Sequence, residues 1–281
     1  PFRGNFDGKG HCVKGLMVKV ETAVSQSTHA GLFGYASVGT LRNLGVVLAP
    51  EGVQAVPSSV ASAYAGGIAG QADNICNCYV VGAGEVVAIG RSGMGSNGAT
   101  VQTLSHAGGI VGYLDSSLTH CYATVGVKAK GDYNNYAGGI AGDSPGGVTL
   151  SYTYATGAVE AADGKKNYAG GICGSFPMGT LSNNLALNKQ VNNGDDGESN
   201  RIAGYVGSSK YTTLSANYAS PEIQVNGRVV NGGTGDGKNG DPSVTLNNFL
   251  SVLSWGEGWN TSYTTRLPQL KMQTGDGPSY S

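Results

Sequence analysis

The sequence predicts an all-β chain, a parallel β-solenoid of about six to seven coils with three short strands per coil. Two observations carry that prediction. A glycine-rich phrase recurs six times, and an aliphatic strand follows each copy at a near-constant distance. The phrase reads Ala30-Gly31-Leu32-Phe33-Gly34, Ala65-Gly66-Gly67-Ile68-Ala69-Gly70, Ala107-Gly108-Gly109-Ile110-Val111-Gly112, Ala137-Gly138-Gly139-Ile140-Ala141-Gly142, Ala169-Gly170-Gly171-Ile172-Cys173-Gly174 and, most loosely, Ile202-Ala203-Gly204-Tyr205-Val206-Gly207. Its closing glycines step by 36, 42, 30, 32 and 33 residues, so coils run to roughly 30–42 residues. A fixed phrase at such a period marks a solenoid, a propeller or an array. A propeller blade needs four hairpin-linked strands, and units of this size are tight for that.

The opening stretch, Pro1 to His11, carries turn chemistry in Asp7-Gly8 and Lys9-Gly10. Leu16 to Glu21 then has strand-like content, and 1–22 is read as an opening coil. The repeats occupy 23–225. After each glycine phrase comes a second strand: Leu41-Arg42-Asn43-Leu44, Ile75-Cys76-Asn77-Cys78-Tyr79, Leu118-Thr119-His120-Cys121-Tyr122, Leu150-Ser151-Tyr152-Thr153-Tyr154, Leu181-Ser182-Asn183-Asn184-Leu185 and Leu214-Ser215-Ala216-Asn217-Tyr218. A third, more variable strand follows, such as Glu85-Val86-Val87-Ala88 or Gly157-Ala158-Val159-Glu160. These segments are short and rich in Gly, Asn, Ser and Thr, which disfavours helix.

In a parallel solenoid, equivalent residues stack about 4.8 Å apart. Three ladders are therefore expected: Leu41/Ile75/Leu118/Leu150/Leu181/Leu214, then Tyr79/Tyr122/Tyr154/Tyr218 interrupted by Leu185, and Ile68/Ile110/Ile140/Ile172. Gly66, Gly108, Gly138 and Gly170 are expected to provide a positive φ or a close backbone approach at a corner. Residues 226–243 read as a flexible Gly/Asn-rich loop. Residues 244–270, with Trp255 and Trp259, read as a closing cap over an otherwise open terminal coil. Residues 271–281 read as a tail.

Composition narrows the function classes. Of 281 residues only 12% are charged, while 40% are hydrophobic and fifteen are tyrosines, which argues for a packed structure over disorder. A net charge of −1 gives no electrostatic footprint for nucleic acid, and no apolar run is long enough to span a bilayer. The chain opens at Pro1 with no visible signal peptide and is read as a mature or excised piece of a longer protein. Five scattered cysteines, at 12, 76, 78, 121 and 173, read as buried thiols rather than a disulfide framework.

Candidate chemistry is thin. Asp73 and Asp115 stand three residues past their closing glycines, with Asp143 nearby; stacked carboxylates could hold calcium, but Asp is also a routine turn residue and the turn reading is preferred. Asp195-Asp196-Gly197-Glu198 and Gly235-Asp236-Gly237 lack the spacing of known calcium loops. Gly93-Met94-Gly95-Ser96-Asn97-Gly98 matches a nucleotide fingerprint by letter only, without a following helix. His29 and His106 occupy positions where other coils carry Tyr64, Tyr136 and Tyr168, which reads as a structural ring rather than a metal ligand; His11 and His120 have no partner pattern either. No serine or cysteine has a recognisable base partner. No catalytic, cofactor-binding or metal residue is therefore assigned.

The glycine phrase, best kept in Gly31-Leu32-Phe33-Gly34, resembles the GLUG motif of large bacterial surface proteins, a repeat also found in immunoglobulin-A-cleaving metallopeptidases. Asn77-Cys78-Tyr79 and His120-Cys121-Tyr122 fit the same repeat, and the opening and Trp-containing closing segments resemble those of the family. The resemblance implies a right-handed parallel β-helix at the cell surface or outside the cell. It does not imply an enzyme, because the peptidases of that family carry their zinc site in a separate domain. The expected function is a non-catalytic, adhesin-like module or stalk, presenting a surface to a glycan or protein. The alternatives are a β-helix polysaccharide lyase or hydrolase, or an accessory domain of a surface peptidase. Tyr133 and Tyr211, outside the ladders, could stack on sugars.

Overall fold

The computed structural model describes residues 1–23, 26–95, 98–194, 196–243, 255, 258–260 and 267–273. Among these there is no helix; the chain is a parallel β-solenoid of seven turns. One six-stranded sheet collects the strand that leads into each glycine phrase, Thr28–Ala30, Ala63–Gly66, Leu104–Gly108, Asn134–Gly138, Lys166–Gly170 and Gly197–Asn200, stacked in chain order. A twenty-stranded sheet takes most of the rest, and two antiparallel pairs, Gly93–Met94 with Thr100–Val101 and Trp259–Asn260 with Gln269–Leu270, stand apart from it.

Coil five shows the anatomy. Its strands are Asn134–Gly138, Ala141–Asp143, Val148–Ala155 and Val159–Ala162. Ala137 pairs with Ala107 and Ala169, Leu150 with Leu118 and Leu181, and Val159 with Val127 and Val191. Where three strands per coil were expected, this coil has four, because the glycine phrase bends at Gly139-Ile140, its first two residues ending one strand and its last two beginning the next. Ile68, Ile110, Ile140 and Ile172 still stack at that bend, fully buried, each amide donating to the isoleucine carbonyl of the next coil at 2.9–3.0 Å. The aliphatic ladder from Leu41 to Leu181 is buried throughout.

The role of the first glycine in the phrase is close approach, not handedness. None of Gly66, Gly108, Gly138 or Gly170 has a positive φ. A Cβ on Gly138 would collide with the Ala141 carbonyl and lie 2.8 Å from Cα of Cys173 in the next coil. The left-handed turn sits elsewhere, at the third residue of each second strand. Asn43, Asn77, His120, Tyr152, Asn183 and Ala216 all have φ between 51° and 57°. Asn and, to a lesser degree, His are met in this region; Tyr and Ala are disfavoured there by the Cβ–carbonyl clash. Stacking offsets part of that cost: His120 lies on Tyr152 with ring centroids 5.0 Å apart, and Asn77 Nδ2 donates to Asn43 Oδ1 at 2.7 Å.

Immediately after this turn comes an inward ladder that changes character along the axis: Leu44, Cys78, Cys121, Thr153, Asn184, Asn217. The polar end is satisfied within itself. Thr153 Oγ1 donates to Asn184 Oδ1 at 2.8 Å, Asn184 Nδ2 to Asn217 Oδ1 at 2.9 Å, and Asn217 Nδ2 to the Leu181 carbonyl at 2.8 Å.

Residues 226–243, expected as a flexible loop, are a hydrogen-bonded lid on the last coil. The amides of Ile202, Asn217 and Ala219 donate to the carbonyls of Lys238, Gly235 and Asp241 at 2.9–3.0 Å. Arg201 is fully buried beneath this segment, its guanidinium donating to the carbonyls of Asn239, Val230 and Gly232. Glycine abundance hid this, because the lid bonds through its backbone and needs no apolar side chains.

Most of 244–270, the expected cap, lies outside the described residues. Those that are described lie on the flank, not over an end. Trp255, Trp259, Leu267 and Leu270 pack on Tyr79, Tyr122 and Tyr154, whose rings stack at 5.3 and 4.7 Å. Tyr154 Oη donates to the Pro268 carbonyl at 2.8 Å and Tyr122 Oη to Gln273 Oε1 at 2.7 Å. Gln273 belongs to the stretch expected as tail, and here it anchors the strap.

Two stability predictions follow from this geometry. Gly138→Val forces apart two coils at the bend and should lower the melting temperature by 10 °C or more, measured by thermal circular dichroism. An unchanged value would refute close approach as the reason for the glycine. Arg201→Met leaves several lid carbonyls without their donor, and leaving a buried acceptor unpaired costs about 1–3 kcal/mol. Limited proteolysis should then cut within 226–243 well before the parent chain is cut there.

Candidate functional site

Strand alternation places the residue before each phrase's first alanine on the outside, because the alanine itself points into the core. These outward residues are His29, Tyr64, His106, Tyr136 and Tyr168, in register from coil to coil. They form one continuous stack, with centroids 4.6, 4.7, 5.1 and 5.5 Å apart and planes within 15°. The residue after each closing glycine also points outward, giving a second ladder of Tyr35, Gln71, Tyr113, Asp143, Ser175 and Tyr205; in the sixth phrase the register puts Gly204, not Gly207, in the closing place, so that the last step, from Gly174 to Gly204, is 30 residues and not 33.

The glycine bend turns the two ladders toward each other. His29 stacks on Tyr35 at 5.5 Å, Tyr113 meets Tyr64 and His106 edge-on at 5.8 and 5.3 Å, and Tyr168 meets Tyr205 at 5.6 Å. Polar groups thread between the rings. His29 Nε2 and Gln71 Oε1 are 3.1 Å apart, and Gln71 Nε2 donates to Asp115 Oδ2 at 3.0 Å.

At the centre lies His106, completely buried, with neither ring nitrogen in a hydrogen bond and Nδ1 3.5 Å from Asp143 Oδ2. Burial disfavours the charged form of both groups: it lowers the imidazole to about 3 and raises the carboxyl to about 6. As the pH falls the carboxyl takes up a proton near 6, while the imidazole stays uncharged down to about 3. Burial likewise raises the phenols of Tyr113 and Tyr136 to about 12. At neutral pH the stacked rings are uncharged, and Asp143 stands against them as a carboxylate.

The remaining candidates disperse. Asp73 and Asp115 do share a turn position, but Asp73 Oδ2 accepts from the Val38 amide at 2.7 Å and Asp115 is bound to Gln71. Asp143 is two residues out of phase with them, paired in register with Tyr113, and its Oδ1 accepts from the Ser144 amide at 2.8 Å. Among the described residues no three His, Cys, Asp or Glu side chains are grouped to hold a metal ion. All five cysteines are free; Cys78, Cys121 and Cys173 are buried, Cys12 and Cys76 half-buried. Burial pushes the Cys121 and Cys173 thiols up, away from the reactive thiolate.

In the 93–98 stretch, Ser96 and Asn97 lie outside the described residues; Gly93–Met94 pairs antiparallel with Thr100–Val101, a hairpin with no helix after it. Asp195 also lies outside them. Asp236 sits in the lid. Tyr133 carries the Lys165 ammonium 5.5 Å from its ring, and Tyr211 that of Lys210 at 5.1 Å. No helix among the described residues is long and apolar enough to cross a membrane.

The paired ladders are what sequence reasoning missed. His29 and His106 were seen to alternate with tyrosines, and that was the available signal. The second ladder carries four residue types, so it shows no repeat by letter; only its fixed place after the closing glycine betrays it.

No family model matches the chain, and no curated protein does. Among solved structures it resembles a Bacteroides ovatus protein described as a "putative immunoglobulin A1 protease", with 22% identity and a TM-score of 0.68 over 95% of this chain and 77% of that one. That likeness shows the fold. At this identity the parallel β-solenoid is what the two chains share, and nothing about chemistry follows from it.

The His106–Asp143 pair has a measurable signature. In the unfolded chain histidine takes its proton near its ordinary 6.5, whereas in the folded chain the pair takes one near 6. The parent should therefore lose little stability between pH 6.5 and 5. Asp143→Asn leaves an isolated buried imidazole whose folded value is depressed, so the unfolded state binds a proton that the folded state refuses. Stability then falls as pH drops below 6.5, by about 1.4 kcal/mol per unit, or about 2 kcal/mol by pH 5. Urea titrations of both proteins at pH 7 and pH 5 check this; parallel losses would show that the carboxyl does not protect the ring.

Proposed function

We propose that this chain is a non-catalytic module of a secreted or cell-surface bacterial protein, adhesin-like, that presents a rigid outer surface to a glycan or protein. The observation that carries the reading is the use made of the groups with catalytic potential. His106 and Asp143 are buried against each other, and His29 is bound into a ring stack. The Cys121 and Cys173 thiols are buried. What the coils offer outward is a regular array of tyrosine edges, amides and hydroxyls, suited to recognition.

The resemblance to the GLUG repeat and the shared fold with the Bacteroides ovatus protein are consistent with such a place. That protein's description also supports a second reading, an accessory domain of a surface peptidase, with peptide cleavage lying in another domain.

The test is a binding screen of the folded chain against arrays of glycans and of host extracellular proteins, with and without calcium, followed by a product assay on every hit. Saturable binding without product is expected. Release of shortened saccharide or cleaved peptide would replace this reading with an enzyme.

A further inference from the structure

The last two coils differ from the rest of the outer surface. Met178, Tyr205, Tyr211 and Val229 are 42%, 39%, 56% and 55% exposed, and together they make up four of the nine large hydrophobic side chains that the described residues leave exposed. Two of them, Met178 and Tyr211, are neighbours through the coil register: the Gly179 amide donates to the Tyr211 carbonyl at 2.9 Å, and Gly179 pairs with Thr212.

Beside them the lid and the last coil enclose a cleft of about 450 Å³, lined by Val206, Ser209, Thr213, Leu214, Asp236 and Lys238 among others. Tyr211 stands in sequence between two lining residues, Ser209 and Thr212. The cleft is chemically mixed. Val206 and Leu214 form its apolar part, and Ser209 and Thr213 bring exposed hydroxyls. Asp236 is fully exposed, and the Thr234 hydroxyl holds its carboxyl below the usual carboxylate range, so it is an acceptor-only group at neutral pH. Lys238 is held in place by Glu198 at 2.5 Å.

We infer that this cleft, together with the exposed ring of Tyr211 that adjoins its Thr212 wall in sequence, is an oligosaccharide-binding subsite, which rests on the recognition reading above and specifies its ligand. A sugar ring presents an apolar C–H face and a rim of hydroxyls. An exposed phenol ring suits the first, and a carboxylate beside a fixed ammonium and hydroxyls suits the second, since a carboxylate accepts from neighbouring hydroxyls while the ammonium donates to their oxygens. Lys210 covers part of one Tyr211 face, leaving the other for the ligand.

Neither this cleft nor a second one of about 420 Å³, along the turns from Gly82 to Lys189, has an aromatic side chain in its lining; the first alone has an exposed tyrosine, Tyr211, next in sequence to a lining residue, Thr212. The long ring ladders are no better suited, because each ring's faces are covered by its neighbours.

The experiment uses the whole chain. A defined oligosaccharide panel is screened by saturation-transfer NMR, and the best binder is titrated against the parent, Tyr211→Ala, Asp236→Asn and Tyr133→Ala. Tyr211→Ala and Asp236→Asn should each weaken binding at least tenfold, with melting temperatures within 2 °C of the parent, since both side chains are exposed. Tyr133→Ala, in another coil, should bind as the parent does. Undiminished binding by both site variants would overturn the subsite and leave the recognition reading standing. An empty panel would also overturn it, and a protein hit from the array would then make the module protein-binding. Product release would sink the recognition reading itself.

Discussion

Contact between successive backbones at the glycine bend is the constraint from which the rest of this solenoid follows. Gly67, Gly109, Gly139 and Gly171 each face a backbone carbonyl of the next coil, Gly109, Gly139, Gly171 and Arg201 respectively, where a side chain would not fit. With no side chain intervening, the amides of the bend bond straight to the coil above, and every coil is brought into the same register. Equal spacing then forces each side chain onto its counterpart. A residue in the core is chosen less for its own burial than for its fit with the same position one coil away. Leu150 on Leu118 and Tyr154 on Tyr122 are consequences of that spacing.

Register also explains how the structure accommodates residues that would be costly alone. A tyrosine or alanine in left-handed conformation is unfavourable in isolation. Here the turn recurs in six coils, and changing one residue's conformation would break the ladders on both sides of it. The inward ladder behind that turn obeys the same logic. Asn184 and Asn217 are buried amides, each satisfied by the coil next to it, whereas Cys78 and Cys121 fill the corresponding space with small apolar groups. Polar and apolar solutions coexist within one ladder because each has to agree only with its neighbours.

How much of this was legible depended on whether the signal was carried by side-chain letters or by backbone. The solenoid, its period, and the Leu/Ile and Tyr ladders could be read directly, since like-on-like stacking repeats the letter. The close approach at Gly138 was one of two readings open to the sequence, and only coordinates distinguish it from a positive φ. The lid at 226–243 was misread because Gly, Asn and Asp are shared by loops and by segments that bond through the main chain. The flank packing of Trp255 and Trp259 could not be anticipated: two apolar rings suit the end of a stack as well as its side. The second outer ladder, running Tyr, Gln, Tyr, Asp, Ser, Tyr, was invisible because its positions face another ladder and not a buried core, and so tolerate different residues.

The outer surface is rich in tyrosine, yet most of those rings cannot serve as platforms. A ring whose two faces each meet another ring within about 5 Å can offer a ligand only its edge and its hydroxyl. That describes Tyr64, between His29 and His106, and Tyr136, between His106 and Tyr168. Tyr122 and Tyr154 are further sealed by the C-terminal strap, their hydroxyls already donating to Gln273 and Pro268. Free ring faces therefore arise only where a ladder ends or where a tyrosine stands outside it. In a stacked repeat the interior coils supply rigidity and spacing, and recognition through aromatic faces is pushed to the terminal coils, where the stack runs out of partners.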